Sequence, residues 1–221
     1  MSAPVLVSAA AGYALWADTW DATPSPVVAL EQRLLLPWIG TLTAGRALDV
    51  GCGTGRWTAR VGALGFDVSP RMLAVAASKP GLRGRLAVAD AAALPVAARS
   101  ADLLLCSLTL GHVPNRAAAL REFTRVLRPG GSLLLTDFHP AAVARGWRRT
   151  FRHEDRVYEL EHYPYTLAQI AEAAPALTLL RSEPGTIAEP ERRLFLAAGR
   201  PELFAEASAT PAVLLSHWTR A

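Results

Sequence analysis

The sequence is short of cysteine, of lysine and of long apolar runs. Two cysteines, Cys52 and Cys106, are too few for a disulfide framework, and neither sits in a metal-ligand spacing. A stapled secreted scaffold and a zinc or calcium module are therefore excluded, no metal is expected, and a reducing compartment is. Lys79 is the only lysine against twenty-two arginines. With the heavy use of alanine, this reads as coding from a GC-rich genome, so the net charge of +4 gives nucleic-acid binding little support. The apolar stretches at 34–39 and 103–110 stop far short of the ~20 residues a spanning helix needs, and no membrane partner is expected. The first seventeen residues carry no charge, whereas a secretory leader opens on a positive segment; a cytoplasmic location is the expectation.

What is present describes a globular chain. Its 221 residues, 51% hydrophobic and 19% charged, are long enough to bury about 70% of the unfolded surface, in one domain or one with a small cap. The first forty residues read as helical with breaks near Trp16, Trp20, Pro24 and Pro26, then helical again over 27–38. They are expected to form a cap, residues 1–40, on a domain covering 41–221. In that domain short apolar strands at 46–50, 65–68, 85–89, 103–108 and 132–137 alternate with helices at 58–64, 71–78 and 115–127. The last of these helices has the clearest stripe (Leu120, Phe123, Val126, Leu127), with Asn115 as its cap and Pro129-Gly130-Gly131 as its stop. Such alternation predicts a mostly parallel sheet covered by helices on both faces. Residues 147–165 break the rhythm and alternate around His153-Glu154-Asp155-Arg156, which predicts a hairpin. A helix at 166–174, a strand at 177–180, partly helical structure over 191–207 and a strand at 212–218 complete the expected order.

The most informative segment is Ala47-Leu48-Asp49-Val50-Gly51-Cys52-Gly53-Thr54-Gly55-Arg56. Glycines between a strand and a helix let backbone approach a ligand with no Cβ between them. A dinucleotide loop would need its third glycine where Arg56 stands, and no Gly-Lys-Ser/Thr follows for a P-loop. The spacing is G-x-G-x-G behind Asp49. Asp67 ends the next strand; an acid there either accepts both hydroxyls of a ribose or caps a helix. It lies only twelve positions after Gly55, so the intervening helix must be short. Asp90 follows the third strand in Val88-Ala89-Asp90-Ala91-Ala92-Ala93, and the fourth leaves through Ser107-Leu108-Thr109-Leu110-Gly111-His112.

In this order along residues 45–138, these marks resemble the class I S-adenosylmethionine-dependent methyltransferases. The resemblance implies a Rossmann-like α/β fold: a mostly parallel seven-stranded sheet with helices on both faces, the last strand antiparallel, plus the N-terminal helical cap. It also places an insert, at about 141–165, over the active site. S-adenosylmethionine is the implied cofactor. Asp49, Gly51, Cys52, Gly53, Thr54 and Gly55 would form the loop against it. Asp67 would take the ribose with Val68 beside it, and Asp90, Ala91, Ala92 and Met72 would surround the adenine. Ser107, Leu108 and Tyr13 of the cap complete the implied cofactor set.

Methyl transfer needs a nucleophile held about 3–3.5 Å from the methyl carbon and in line with the breaking bond. A base is needed only when the nucleophile carries a proton. His139 and His112 lie beyond strand ends and are the candidate auxiliary bases, His139 first. Trp16, Trp20, Phe138, Tyr163 and Tyr165 are the expected acceptor-pocket residues. Arg145, Arg148, Arg149, Arg152 and Arg156 form a cluster with Trp147 and Phe151 interleaved. It reads as a solvated face balanced by Glu154, Asp155, Glu159 and Glu161, or as a grip for a carboxylate, a phosphate or a single strand. The expected protein is a small-molecule methyltransferase acting on an oxygen, nitrogen or carbon nucleophile, as a monomer or homodimer. A nucleic-acid methyltransferase is one alternative, against which Ser107-Leu108-Thr109-Leu110 argues by standing where Asn/Asp-Pro-Pro-Tyr/Phe would be. A cofactor-binding cyclase or regulator is the other.

Overall fold

A computed structural model describes residues 3–42 and 45–221; Met1 and Ser2 of the expected cap, and Thr43 and Ala44 beside its expected boundary, lie outside the described residues. The chain opens with β1 (Val5–Val7), α1 (Ala9–Trp20) and α2 (Pro26–Gly40). Next come β2 (Ala47–Val50), α3 (Arg56–Val61), β3 (Leu64–Asp67), α4 (Pro70–Ala77), β4 (Leu86–Val88) and β5 (Ala101–Ser107). A short 3-10 turn, Leu110–His112, leads to α5 (Arg116–Val126), β6 (Leu127–Phe138) and α6 (Pro140–Ala144). The remainder is β7 (Thr150–His153), β8 (Arg156–Leu160), α7 (Leu167–Ala173), β9 (Leu177–Thr186), α8 (Glu189–Ala197), α9 (Leu203–Ser208) and β10 (Pro211–Arg220).

Seven strands form the main sheet in the order β4-β3-β2-β5-β6-β10-β9. Only β10 runs against its neighbours, β6 and β9; the other pairs are parallel. Parallel strands are stable when both faces are covered, which is why β2 and β5 are almost continuously apolar. Side-chain alternation sends Leu104 and Cys106 of β5 to one face, against Leu120 and Phe123 of α5 and Ile170 of α7. Leu103 and Leu105 go to the other face, against Leu30, Leu35 and Trp38 of α2 and Phe195 of α8. The Asn115 side chain accepts the Ala118 amide (3.1 Å) and starts α5 where the sequence predicts it.

Three features depart from the sequence reading. Trp16 and Trp20 do not interrupt α1; they lie within it, because Trp16 stacks on Phe151 of β7 (ring centres 4.6 Å apart) and Trp20 meets its edge. Residues 5–7, expected within the helical cap, form a strand paired in parallel with β8. That partner lies far along the chain, beyond any local signal, and the predicted hairpin becomes the three-stranded sheet β1-β8-β7. Strand β9 runs to Thr186 rather than stopping near 180, since pairing with β10 sustains an edge strand whose exposed side chains carry no apolar pattern.

A buried carboxylate fastens the N-terminal segment to the sheet. Glu31 of α2 is fully buried. Its Oε1 accepts from Trp57 Nε1 (3.2 Å), Ser107 Oγ (2.7 Å) and Thr136 Oγ1 (3.1 Å). Its Oε2 lies 2.8 Å from the Arg56 guanidinium. Removing one partner of a buried pair leaves the other charge uncompensated, a loss of about 3–5 kcal/mol. Glu31→Ala is expected to lose stability toward the lower end of that range, because Arg56 retains some solvent. Glu31→Gln, which keeps an acceptor and the volume, is expected to lose less. Urea unfolding reads both as a lower midpoint at an unchanged slope.

Candidate active site

Ligands of open α/β sheets bind beyond the carboxyl ends of the strands, and here a cavity of about 290 Å³ opens beyond β2, β3 and β5. Its floor is the glycine turn. Gly51 has φ +71, and a Cβ there would come within 2.1 Å of the Thr109 side chain. Gly53, φ +53, has only Met72 Cε near its missing Cβ, at 3.5 Å, so it faces open space. Backbone left bare in this way can bond neighbouring groups closely. The Gly53 amide donates to Asp67 Oδ2 (2.8 Å), and the Ser69 amide donates to Asp67 Oδ1 (2.8 Å). Burial pushes the Asp67 carboxyl above its usual range, against these amide bonds.

Asp49 lies beneath the loop, fully buried, with Oδ2 accepting from Thr58 Oγ1 (2.6 Å). Burial raises its pKa to about 6. Asp90 is exposed at the mouth, where its Oδ1 accepts the Ala92 amide (2.8 Å). Cys52 lines the cavity, and burial pushes its thiol far up, so it serves as an apolar wall. The N-terminal segment ties down the turn from above: Thr54 Oγ1 donates to Asp21 Oδ1 (2.6 Å), and Lys79 bridges Asp21 and the Thr54 carbonyl.

The roof joins three segments distant in sequence. Arg149 Nη1 donates to the Tyr13 hydroxyl (2.8 Å), which lies 3.3 Å from His112 Nε2. His112 Nδ1 lies 2.7 Å from the Glu161 carbonyl. A carbonyl only accepts, so Nδ1 carries the proton; Nε2 then accepts from Tyr13 and the chain of donors is complete. Burial, reinforced by Arg149, holds His112 down at about 4, so the ring is neutral at pH 7. Behind it, Asp137 accepts from the Gly111 and Phe138 amides and from His162 Nε2 (3.1 Å). Burial pushes Asp137 up, but the His162 bond and the nearby imidazoles outweigh it and hold the acid below its ordinary range.

The cavity thus gathers most of the residues expected from sequence. Tyr13, Asp49, Gly51, Cys52, Gly53 and Thr54 line it. So do Asp67, Val68, Met72, Asp90, Ala91, Ser107, Leu108, His112 and Trp20. Gly55 and Ala92 do not: a Cβ on Gly55 would meet Leu82 in the core beneath the loop, and Ala92 turns back onto Asp90. Phe138 and Tyr163 line a second cavity of about 430 Å³ beside the first. Trp16 is in the aromatic cluster under the hairpin, and Tyr165 is in the main core. His139, the preferred auxiliary base, lines neither cavity; its Nδ1 accepts the Ala141 amide (3.1 Å) and caps α6. Arg149, Glu161, Arg56 and Thr109 line the first cavity without having been placed there from sequence. For Arg149 the arginine-rich stretch was the only available signal.

A sheet in this order, with a bare glycine turn facing a strand-end acid, defines the class I methyltransferase architecture. Residues 48–135 match the family described as "Methyltransferase domain", the same stretch that carries the resemblance read from the sequence. It is 35% identical over 148 residues to the methyltransferase GfsG of Streptomyces halstedii, an alignment covering 61% of this chain and 51% of that one. It is 37% identical over 130 residues to the demethylmenaquinone methyltransferase of Tropheryma whipplei, covering 54% of this chain and 53% of that one. The chain spans about half the length of the curated relatives it matches. Among solved structures, an S-adenosylmethionine-dependent methyltransferase from Mesorhizobium loti shares the fold with a TM-score of 0.66 at 23% identity, covering 89% of this chain and 100% of that one.

The buried imidazole makes stability depend on pH. His112 titrates near 6.5 in the unfolded chain and at about 4 when folded, so its contribution is fully present above 6.5 and is lost as pH falls to 4. The amount is about 3 kcal/mol. Asp49, raised to about 6, acts oppositely and lowers stability as pH rises from 4 to 6. The difference between wild type and His112→Gln in urea titrations at stepped pH isolates the imidazole. That difference is expected to shrink from pH 7 to pH 4.

Proposed function

We propose that the chain transfers the methyl group of S-adenosylmethionine to an oxygen, nitrogen or carbon nucleophile of a small molecule. The observation that carries this reading is Asp67, whose carboxylate is held by the Gly53 and Ser69 amides at the rim of a turn whose backbone is bare at Gly53. That arrangement fits a nucleoside lying on backbone with its ribose hydroxyls on the acid. Exposed Asp90 and apolar Met72 and Val68 fit the base. Bound there, S-adenosylmethionine supplies an activated methyl group with the sulfonium sulfur as leaving group. Residues 1–40 serve as a cap, and residues 141–165 cover the acceptor side. Among the described residues no helix is long and apolar enough to cross a membrane. The two free cysteines fit a cytoplasmic setting, where the chain would act as a monomer or homodimer.

Positioning, rather than proton transfer, supplies the catalysis on this reading. The histidine in the first cavity is neutral, held near pKa 4, and is a weak proton acceptor at pH 7. The residues of the roof exclude water and hold the acceptor in line. Calorimetry with S-adenosylmethionine is expected to show a 10–100-fold weaker affinity for Asp67→Ala, about 1.5–3 kcal/mol for hydrogen bonds to a charged acceptor. Gly53→Val is expected to abolish binding while the far-ultraviolet circular dichroism stays native. A screen of small molecules followed by mass is expected to show one acceptor gaining one methyl as S-adenosylhomocysteine forms. Turnover of that acceptor is expected to show no titration near pH 6.5, and His112→Gln to raise KM more than it lowers kcat.

A further inference from the structure

Arg149 stands apart from the other arginines of its stretch. Arg148 faces Glu159 at 3.6 Å, and Arg145 donates to Thr210. Arg149 is only 8% exposed, and among the described residues no carboxylate lies within 4 Å of its guanidinium. Its one side-chain hydrogen bond goes to Tyr13, and its buried Nε has no partner. The guanidinium carbon sits 4.8 Å over the Phe138 ring, which orients the planar fork. Taking a guanidinium out of water without a counter-charge is costly. The place where this occurs borders both cavities, the 290 Å³ one of the glycine turn and the 430 Å³ one beneath the hairpin.

The other charged groups there already have partners. Glu161 accepts from the Tyr163 hydroxyl (3.0 Å), and His162 is committed to Asp137. The rest of the second cavity is mixed: Leu6, Val143, Trp147 and Pro164 give it an apolar wall, and the paired Arg148 and Glu159 also line it. A volume of this size suits a compact organic molecule, and a guanidinium fork matches a carboxylate through two parallel hydrogen bonds.

We infer that Arg149 is a specificity-determining residue that anchors a carboxylate of the methyl acceptor, so that the acceptor is an acid with an apolar body seated in the second cavity. The inference rests on the reading of the first cavity as the cofactor site. The anchored acid lies beside the junction of the two cavities, where the remainder of the acceptor reaches the methyl group.

The test uses the full chain saturated with S-adenosylhomocysteine and two matched probe pairs: benzoate with benzamide, and 3-phenylpropionate with its amide. Calorimetry is expected to show at least one acid binding tenfold or more tightly than its amide. Arg149→Met, read at S-adenosylhomocysteine concentrations that saturate the variant, should remove that preference. The comparison of acid with amide on wild-type protein needs no variant and stands even where Arg149→Met fails to fold. Equal binding of acids and amides, or no binding of either, overturns the inference and leaves the cofactor site standing. Failure of S-adenosylhomocysteine to bind the wild type overturns the reading of the first cavity, and this inference with it.

Discussion

The chain must turn from β2 into α3 with no side chain at Gly51 and Gly53, and much of the site depends on that constraint. Two glycines meet it in different ways. Gly51 has a left-handed backbone pressed against Thr109, where a Cβ has no room. Gly53 is left-handed and faces the cavity, where a Cβ would take up cavity space. Because the turn is bare, the Gly51 and Cys52 amides reach the Phe66 carbonyl at 2.7 and 3.0 Å, and the Gly53 amide reaches the Asp67 side chain. The acid of β3 is thereby fixed beside the turn by backbone groups alone. Local backbone chemistry sets the spacing of the two elements where they line the cavity.

Closing the cavity is a different problem, and the fold solves it with buried polar groups. Tyr13 comes from α1, His112 from the exit of β5, Arg149 and Glu161 from the segment around the β7–β8 hairpin. Each has a partner in another segment, and the donors line up in one direction from the guanidinium to the Glu161 carbonyl. Such a network specifies one arrangement, because breaking any link strands a polar group out of water. The aromatic cluster of Trp16, Trp20 and Phe151 supplies the apolar part of the same joint. Glu31 does the corresponding work between α2 and the sheet. Segments that would otherwise lie loosely over the sheet are thus held to it by groups that have no other outlet.

The strand–helix alternation, the capped start of α5, the hairpin tip at His153–Arg156 and the glycine turn were all legible in sequence. Each rests on residues a few positions apart, where period, cap chemistry and glycine's freedom operate. The sequence by itself also determined which acid follows which strand, and so the order of Asp49, Asp67 and Asp90 around the turn. It did not reveal β1, whose hydrogen bonds go to β8. Nor did it separate His112 from His139: both follow a strand, but one ring enters the cavity and the other caps α6. Only the tertiary structure decided which of five neighbouring arginines is buried. The partner that draws Arg149 inward is Tyr13, 136 positions earlier in the chain, and burial is a property of what surrounds a side chain in space, which nearby sequence does not encode.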